Sequence, residues 1–334
     1  MGGVSLAWGV ASDVGLTRRV NEDAVLAEPP VFLVADGMGG HDAGDVASGL
    51  VIEHLSPLGG PAPLSVRAVT DSIDRANDEI VQRGADSGNH LAMGTTVAGA
   101  ALVENGGGAS WLVFNIGDSR IYRQLDGVLT QVSVDHSYVQ ELMDSGVLDR
   151  SAARTHPQRN VVTRALGMES GPEVDVWFLD PEQGERLIIC SDGLSSEIDD
   201  DAIVAAAAGL DAGAAAQSLV HAALEAGGRD NVSVLVVDVV QVDDPAIDEG
   251  TTAPRLELDA GAAAQLLDPV DSVVAAAASL ISVPPELVDG AGTPTPDATP
   301  APLIDGVPRR LTAPGRARGQ EAGPPTHDDE RNDQ

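Results

Sequence analysis

Six acidic residues in this chain sit where backbone turns would hold them still. Asp36 closes the apolar run Val31 to Ala35 and opens onto Gly37, Gly39 and Gly40. Asp118 lies in Gly117-Asp118-Ser119, Asp192 in Ser191-Asp192-Gly193, and Asp230 follows Gly227-Gly228-Arg229, while Glu22-Asp23 adds a further acidic point. One such residue means little, and a strand end capped by Asp36 explains its stretch equally well. Carboxylates that converge repel one another strongly unless cations lie between them. Oxygen ligands alone suit Mg²⁺ or Mn²⁺ better than Zn²⁺. Two such ions a few ångströms apart can activate a bridging water and clamp a phosphoryl group. Gly37, lacking a side chain, could add its carbonyl oxygen. Arg18 and Arg19, just before Asn21-Glu22-Asp23, fit either a solvated turn with weak ion pairs or an anion-binding cation beside that centre.

The elements that must hold these residues read mostly as strands. Residues 7–11 predict a first strand and 31–35 a buried one. Residues 42–56 have helical spacing, and Val66, Val69, Ile73, Ala76, Ile80 and Val81 line one face of a second helix. Stretches 94–103, 109–125 and 127–133 predict consecutive strands separated by Asn-Gly-Gly-Gly and Asp-Gly turns, the chemistry of hairpins. Residues 136–145 predict a helix, 146–172 an irregular polar stretch, and 173–179 and 185–190 strands. Ala-rich helices over about 200–226 lead into a final strand, VSVLVVDVV. Many antiparallel strands with paired helices imply an α+β sandwich flanked by helices.

Composition narrows the function. A net charge of −33 disfavours nucleic acid and anionic lipid as partners and suits divalent cations. All 19 basic residues are arginine, which removes Schiff-base lysines and the phosphate-binding lysines of P-loop proteins and kinases. The single cysteine, Cys190, follows Leu187-Ile188-Ile189 and reads as a buried thiol, without internal disulfides. No apolar run reaches 18 residues, so direct membrane insertion is not expected and a cytoplasmic location is. From Val242 onward the chain has no Phe, Trp or Tyr and carries 13 of the 21 prolines. We therefore expect a folded domain over 1–241 and a Pro/Ala/acidic-rich, largely disordered tail over 242–334. Within that tail, 260–267 and 273–283 could form short helices, and Arg309-Arg310 with Arg316 and Arg318 make a basic cluster.

Taken in order, RRVNEDA, VFLVADGMGGH, GTT, IGDSR, HPQRN, CSDGL and GGRDNVSV resemble the bacterial metal-dependent (type 2C) protein serine/threonine phosphatases over about residues 5–241. The resemblance implies a four-layer α-β-β-α sandwich of two antiparallel sheets with two Mn²⁺ or Mg²⁺ ions in a cleft at one end. It implies that Asp36 bridges both ions, Gly37 ligates through its carbonyl, and Asp192 and Asp230 hold one ion. Glu22 then reaches the other ion through water, with Asp23 and Asn231 behind the ligands, and Arg18 binds the phosphate. Asp118 would contribute to a third, weaker metal site, and about 146–166 would form a flap beside the cleft. Met38 departs from the eukaryotic pattern, which has histidine there as a proposed general acid, and His41 is not assigned that role. His136 and Thr95-Thr96 fit the family pattern as scaffold, and Ser119 has no recognisable His-Asp motif to make it a nucleophile.

The expected activity is hydrolysis of phosphoserine and phosphothreonine in proteins, opposing a bacterial Ser/Thr kinase in signalling, with its substrates as partners. The tail is a candidate arm for docking a protein partner. The alternative is a catalytically silent relative that binds phosphoproteins or a regulator through its tail; loss of a ligand aspartate would favour it, and none is lost.

Overall fold

The computed structural model describes residues 3–39, 43–60, 63–86, 93–106, 108–168, 172–243 and 309–311. All belong to one compact unit comprising Met1–Ala246 and Gly306–Gln334; a second unit, Ile247–Asp305, lies outside the described residues.

Two antiparallel sheets face each other. The first is built from β1 (Val4–Asp13), β7 (Arg120–Leu125), β8 (Val128–Gln131), β10 (Arg186–Cys190) and β11 (Val232–Val242), in the order β1-β11-β10-β7-β8. The second is built from β2 (Asp23–Glu28), β3 (Val31–Gly39), β5 (Val97–Asn105), β6 (Gly108–Ile116), β9 (Val174–Leu179) and β12 (Arg309–Leu311). Its order is β12-β9-β6-β5-β3-β2, and the short β4 (Met93–Thr95) pairs with the end of β3. Helices α1 (Ala43–Leu55) and α2 (Val66–Asp86) accompany the second sheet. Helices α6 (Asp200–Ala207) and α7 (Ala212–Ala226) accompany the first.

Side-chain alternation explains this layering. In β3, Val31, Leu33 and Ala35 pack with Leu50, Val51, Ile73 and Ile80 of the helices, while Phe32 and Val34 enter the core between the sheets. In β10 and β11, Ile188, Cys190, Val234 and Val236 meet α6 and α7; Leu187, Ile189, Leu235 and Val237 point between the sheets. Strands buried on both faces must be apolar at consecutive positions, which is why these runs show no polar alternation. The expected α-β-β-α sandwich is therefore present.

Several boundaries differ from expectation for local reasons. The first strand is longer, because Val4 to Asp13 pairs along most of β11. The Ala-rich stretch forms helices as expected, two of them: Asp199 and Asp211 each cap a helix start through a side-chain bond to backbone N–H, and Gly209 between them has φ +69°. The helix expected over 136–145 is present as α3 (Tyr138–Asp144), capped by Ser137, whereas the stretch expected to be irregular contains a further short helix, α4 (Arg150–Ala153), capped by Asp149. Asn105-Gly108 and Leu125-Val128 close hairpins as predicted. Gly117-Asp118-Ser119 does not: it carries the chain from β6 in one sheet to β7 in the other. The expected disorder of 242–334 falls largely outside the described residues, as do the two apolar patches; Arg309–Leu311, however, forms a strand paired with β9. No helix among the described residues is long and apolar enough to cross a membrane.

Candidate metal centre

One end of the sandwich gathers the predicted residues. A cleft of about 300 Å³ is lined by Arg18, Glu22, Asp36, Gly37, Asp118, Asp192, Asp230 and Asn231, with Met38, Thr96, Asn160 and Val162 among its other walls. Asp23 is the one predicted site residue that does not line it; it pairs directly opposite Asp36 across β2 and β3.

Asp36 is held at its backbone, by Thr95 and Thr96. Its N–H donates to Thr96 Oγ1 (3.0 Å), and its carbonyl accepts from the Thr96 N–H (2.9 Å) and the Thr95 hydroxyl (3.0 Å). Thr95 and Thr96 are thus scaffold, as expected, and Thr96 Oγ1 also meets Ser119 Oγ at 2.7 Å, in the turn that carries Asp118. Gly37 donates to the Glu22 carbonyl (3.2 Å), which also accepts from Ser48 Oγ (2.6 Å). A side chain on Gly37 would collide with the carbonyls of Gly44 and Glu22, so glycine lets the first turn of α1 lie across the strand end.

Asp230 and Asn231 come from the turn before β11. Asn231 Oδ1 accepts from the Glu22 N–H (2.9 Å), and its Nδ2 donates to the carbonyls of Val14 (3.0 Å) and Val20 (2.9 Å). This one side chain stitches the Arg-rich loop to the last strand. Within that loop Arg18, 48% exposed, donates to Asp230 Oδ2 at 2.7 Å. Asp192 opens a short helix, α5 (Asp192–Ser195), rather than ending a plain turn.

Asp118 is held quite differently. Gly117, at φ +111°, donates its N–H to His136 Nδ1 (3.0 Å) and accepts from the His136 N–H (2.8 Å). That acceptor role leaves the proton of neutral His136 on Nε2, which faces Asp175 Oδ2 at 3.3 Å. Asn115 Nδ2 also donates to the Gly117 carbonyl (3.1 Å). Beneath lies Arg120, forked onto Asp135 with bonds of 2.7 to 3.0 Å. Sequence reasoning left Asn115, Arg120 and Asp135 unassigned. The apolar strand around Asn115 was the available signal, since a buried amide must find partners.

Electrostatics single out this cluster. Burial, reinforced by Asp23, Asp192, Asp118 and Asp230, pushes the Asp36 carboxyl well above the ordinary carboxylate range. Burial and then Asp192 raise Asp118 likewise. Burial raises Asp23 to about 7 against the opposing hydrogen bonds of Ser233 and Ser191. Burial and then Asp230 raise Asp192 to about 6, while a hydrogen bond to Asp36 pulls it down. Among the described residues no three acidic, His or Cys side chains close into a ligand shell. The carboxyl groups instead satisfy each other and Arg18, through the Asp36–Asp192 and Arg18–Asp230 contacts. The residues nevertheless fit divalent cations: the donors are all hard oxygens, their mutual repulsion calls for positive charge, and Asp23 Oδ1 is buried without a partner.

The protein phosphatase 2C family profile matches residues 18–225, more than half of the chain. The chain belongs to that family. Serine/threonine protein phosphatase PstP of Mycobacterium tuberculosis is 39% identical over 242 residues, 71% of this chain and 46% of the relative. The chain thus spans about half the length of that relative. Serine/threonine phosphatase stp of Listeria monocytogenes is 34% identical over 241 residues, 68% of this chain and 93% of the relative. Among solved structures, the catalytic domain of PstP in complex with two manganese ions superposes with a TM-score of 0.64 at 35% identity, covering 72% of this chain and all of that one.

Proposed function

We propose that this protein hydrolyses phosphoserine and phosphothreonine in proteins, in a reaction that depends on divalent cations. The observation that carries this reading is the gathering of Arg18, Glu22, Asp36, Gly37, Asp118, Asp192 and Asp230 around one cleft. The two manganese ions of the PstP structure support it.

Asp36, Asp192, Asp230 and the Gly37 carbonyl would hold a pair of Mn²⁺ or Mg²⁺ ions, with Glu22 contributing through water and Asp118 serving a weaker third site. Such ions supply Lewis acidity, which lowers the pKa of the attacking water and neutralises phosphoryl charge. Arg18, steered by Asp230 at the cleft, binds the phosphate oxygens and stabilises charge as it builds in the transition state. Asp23 and Asn231 orient the ligand-bearing backbone and accept hydrogen bonds behind it. The described lining contains no histidine, and Met38 occupies the place beside Gly37, so the departing alkoxide takes its proton from water. His41 lies outside the described residues. Cys190 takes no part: burial raises its thiol to about 12, and it faces the helices rather than the cleft.

Phosphorylated proteins made by a Ser/Thr kinase are the substrates that fit this chemistry, and the proposal extends to a role in cytoplasmic signalling, with the 242–334 tail as a docking arm for a protein partner. All the ligand aspartates are present, so the silent-relative alternative finds no support in the site. The test is phosphate release from a phosphothreonine peptide by the full chain with Mn²⁺, with Mg²⁺, with EDTA, and in Asp192→Ala. Turnover should need metal and fall on the order of 10³-fold in the variant. A folded wild type inactive with both metals would overturn the reading.

A further inference from the structure

A second cavity opens beside the metal cleft and shares Asp118 and Asp192 with it. Its outer wall comes from α4 and the segment that follows, which contribute Arg150, Arg154 and Arg159. Three arginines on one wall are unexpected in a chain of net charge −33. Much of the remaining charge in this cavity is spoken for. Asp135 is taken by Arg120 and by Gln131 Nε2 at 2.9 Å. Asp200 meets Arg150 at 3.3 Å. Asp118 and Asp192 face the metal cleft as well. Arg159 feels Glu197, and Arg154, exposed at the end of α4, has no charged partner among the described residues. The next residues along the same segment, Asn160 and Val162, line the metal cleft itself. A peptide whose phosphoresidue enters the cleft therefore runs past two arginines with charge to spare.

Resting on the hydrolase reading above, we propose that this groove binds a second anionic group of the substrate. It would be a carboxylate or phosphate on a residue near the phosphoserine or phosphothreonine, held by Arg154 and Arg159. The preferred substrates are then acidic-flanked or doubly phosphorylated segments, and the rest of the acidic surface repels them less than the groove attracts them. Guanidinium groups suit this task because each offers a planar fork to either oxyanion.

The experiment compares phosphothreonine peptides carrying Glu or its neutral isostere Gln at successive positions on either side of the phosphoresidue. At one or more positions Glu should raise kcat/KM about five-fold, mainly through KM, and the gain should shrink as salt rises. In Arg154→Ala/Arg159→Ala the Glu-to-Gln ratio should fall to about 1, and in Arg154→Lys/Arg159→Lys it should partly persist. Fluorescence anisotropy with the same labelled peptides on the full chain reads the preference without turnover. A chain that hydrolyses nothing yet still prefers the Glu peptide would lose the hydrolase reading and keep the groove. Equal kcat/KM and equal affinity at every position, or a preference untouched in the double Ala variant, would overturn the groove assignment.

Discussion

Asp36 and Asp118 reach the same cleft by opposite means. Asp36 sits within a ladder: β2 and β4 pair on either side of it, and Thr95 and Thr96 close on its backbone from the adjoining turn. Asp118 sits on a crossing between sheets, and its place depends on buried side chains: the nearby Asn115 and, from farther along the chain, His136 with Asp175 behind it. Backbone ladders tolerate side-chain changes around them. A loop held by buried side chains loses its position with any one of them, because each lost partner leaves a polar group unsatisfied.

That contrast can be broken most forcefully at the carboxylates themselves. Asp23 and Asp192, raised to about 7 and about 6, bind protons in the folded chain that the unfolded chain has released above about pH 4. Their contribution to stability is full below that pH and is lost as pH rises toward 7. In EDTA, thermal stability should therefore be compromised at pH 8, and Mn²⁺ should rescue it. The gap between the Mn²⁺ and EDTA melting temperatures should widen from pH 5 to pH 8; no gap at either pH would mean that the cluster binds no metal, and a constant gap that these carboxyls exchange no protons for it.

The next largest effect is expected under Asp118. Asp135→Ala leaves Arg120 largely buried without its partner, at a cost of about 3 kcal/mol in urea unfolding. A loss under 0.5 kcal/mol would show that the fork contributes little there.

A pair of substitutions at His136 sharpens the comparison further. His136→Asn keeps an acceptor near the Nδ1 position for the Gly117 N–H, whereas His136→Gln places its amide nearer Nε2 and abandons that N–H. Gln should cost about 1–2 kcal/mol more than Asn and weaken the Mn²⁺ site that includes Asp118, with Asp36-dependent binding unchanged. Equal losses in both variants would assign His136 to packing alone. The smallest effect belongs to Cys190: the folded protein should resist thiol alkylation at pH 8 for as long as it stays folded, since the thiol is buried and raised to about 12. Rapid labelling without unfolding would place Cys190 nearer the surface.

The difference between the two aspartates also explains what the amino-acid sequence revealed. Asp36 was legible because its strand and its glycines are contiguous, and Asp192 and Asp230 for the same reason. The strand runs Val31–Ala35 and Leu187–Cys190 showed burial on both faces before any partner strand was known. The route of Gly117-Asp118-Ser119 was not legible, since a Gly-Asp-Ser turn looks alike whether it closes a hairpin or changes sheets. Nor was the clamp at His136, whose partners Gly117 and Asp175 lie 19 and 39 residues away. Local pattern carries no information about contacts that only the packed sheets bring together. Arg309–Leu311 pairs with β9 across a still longer separation, and its composition reads as tail.

Calorimetric titration of the full chain with Mn²⁺ tests the central claim most directly, alongside Asp36→Asn. The account predicts at least two ions bound per chain in the wild type and loss of that pair in the variant, with the fold retained by circular dichroism. A wild type that binds no Mn²⁺, or a folded Asp36→Asn variant that binds it as tightly, would contradict the account.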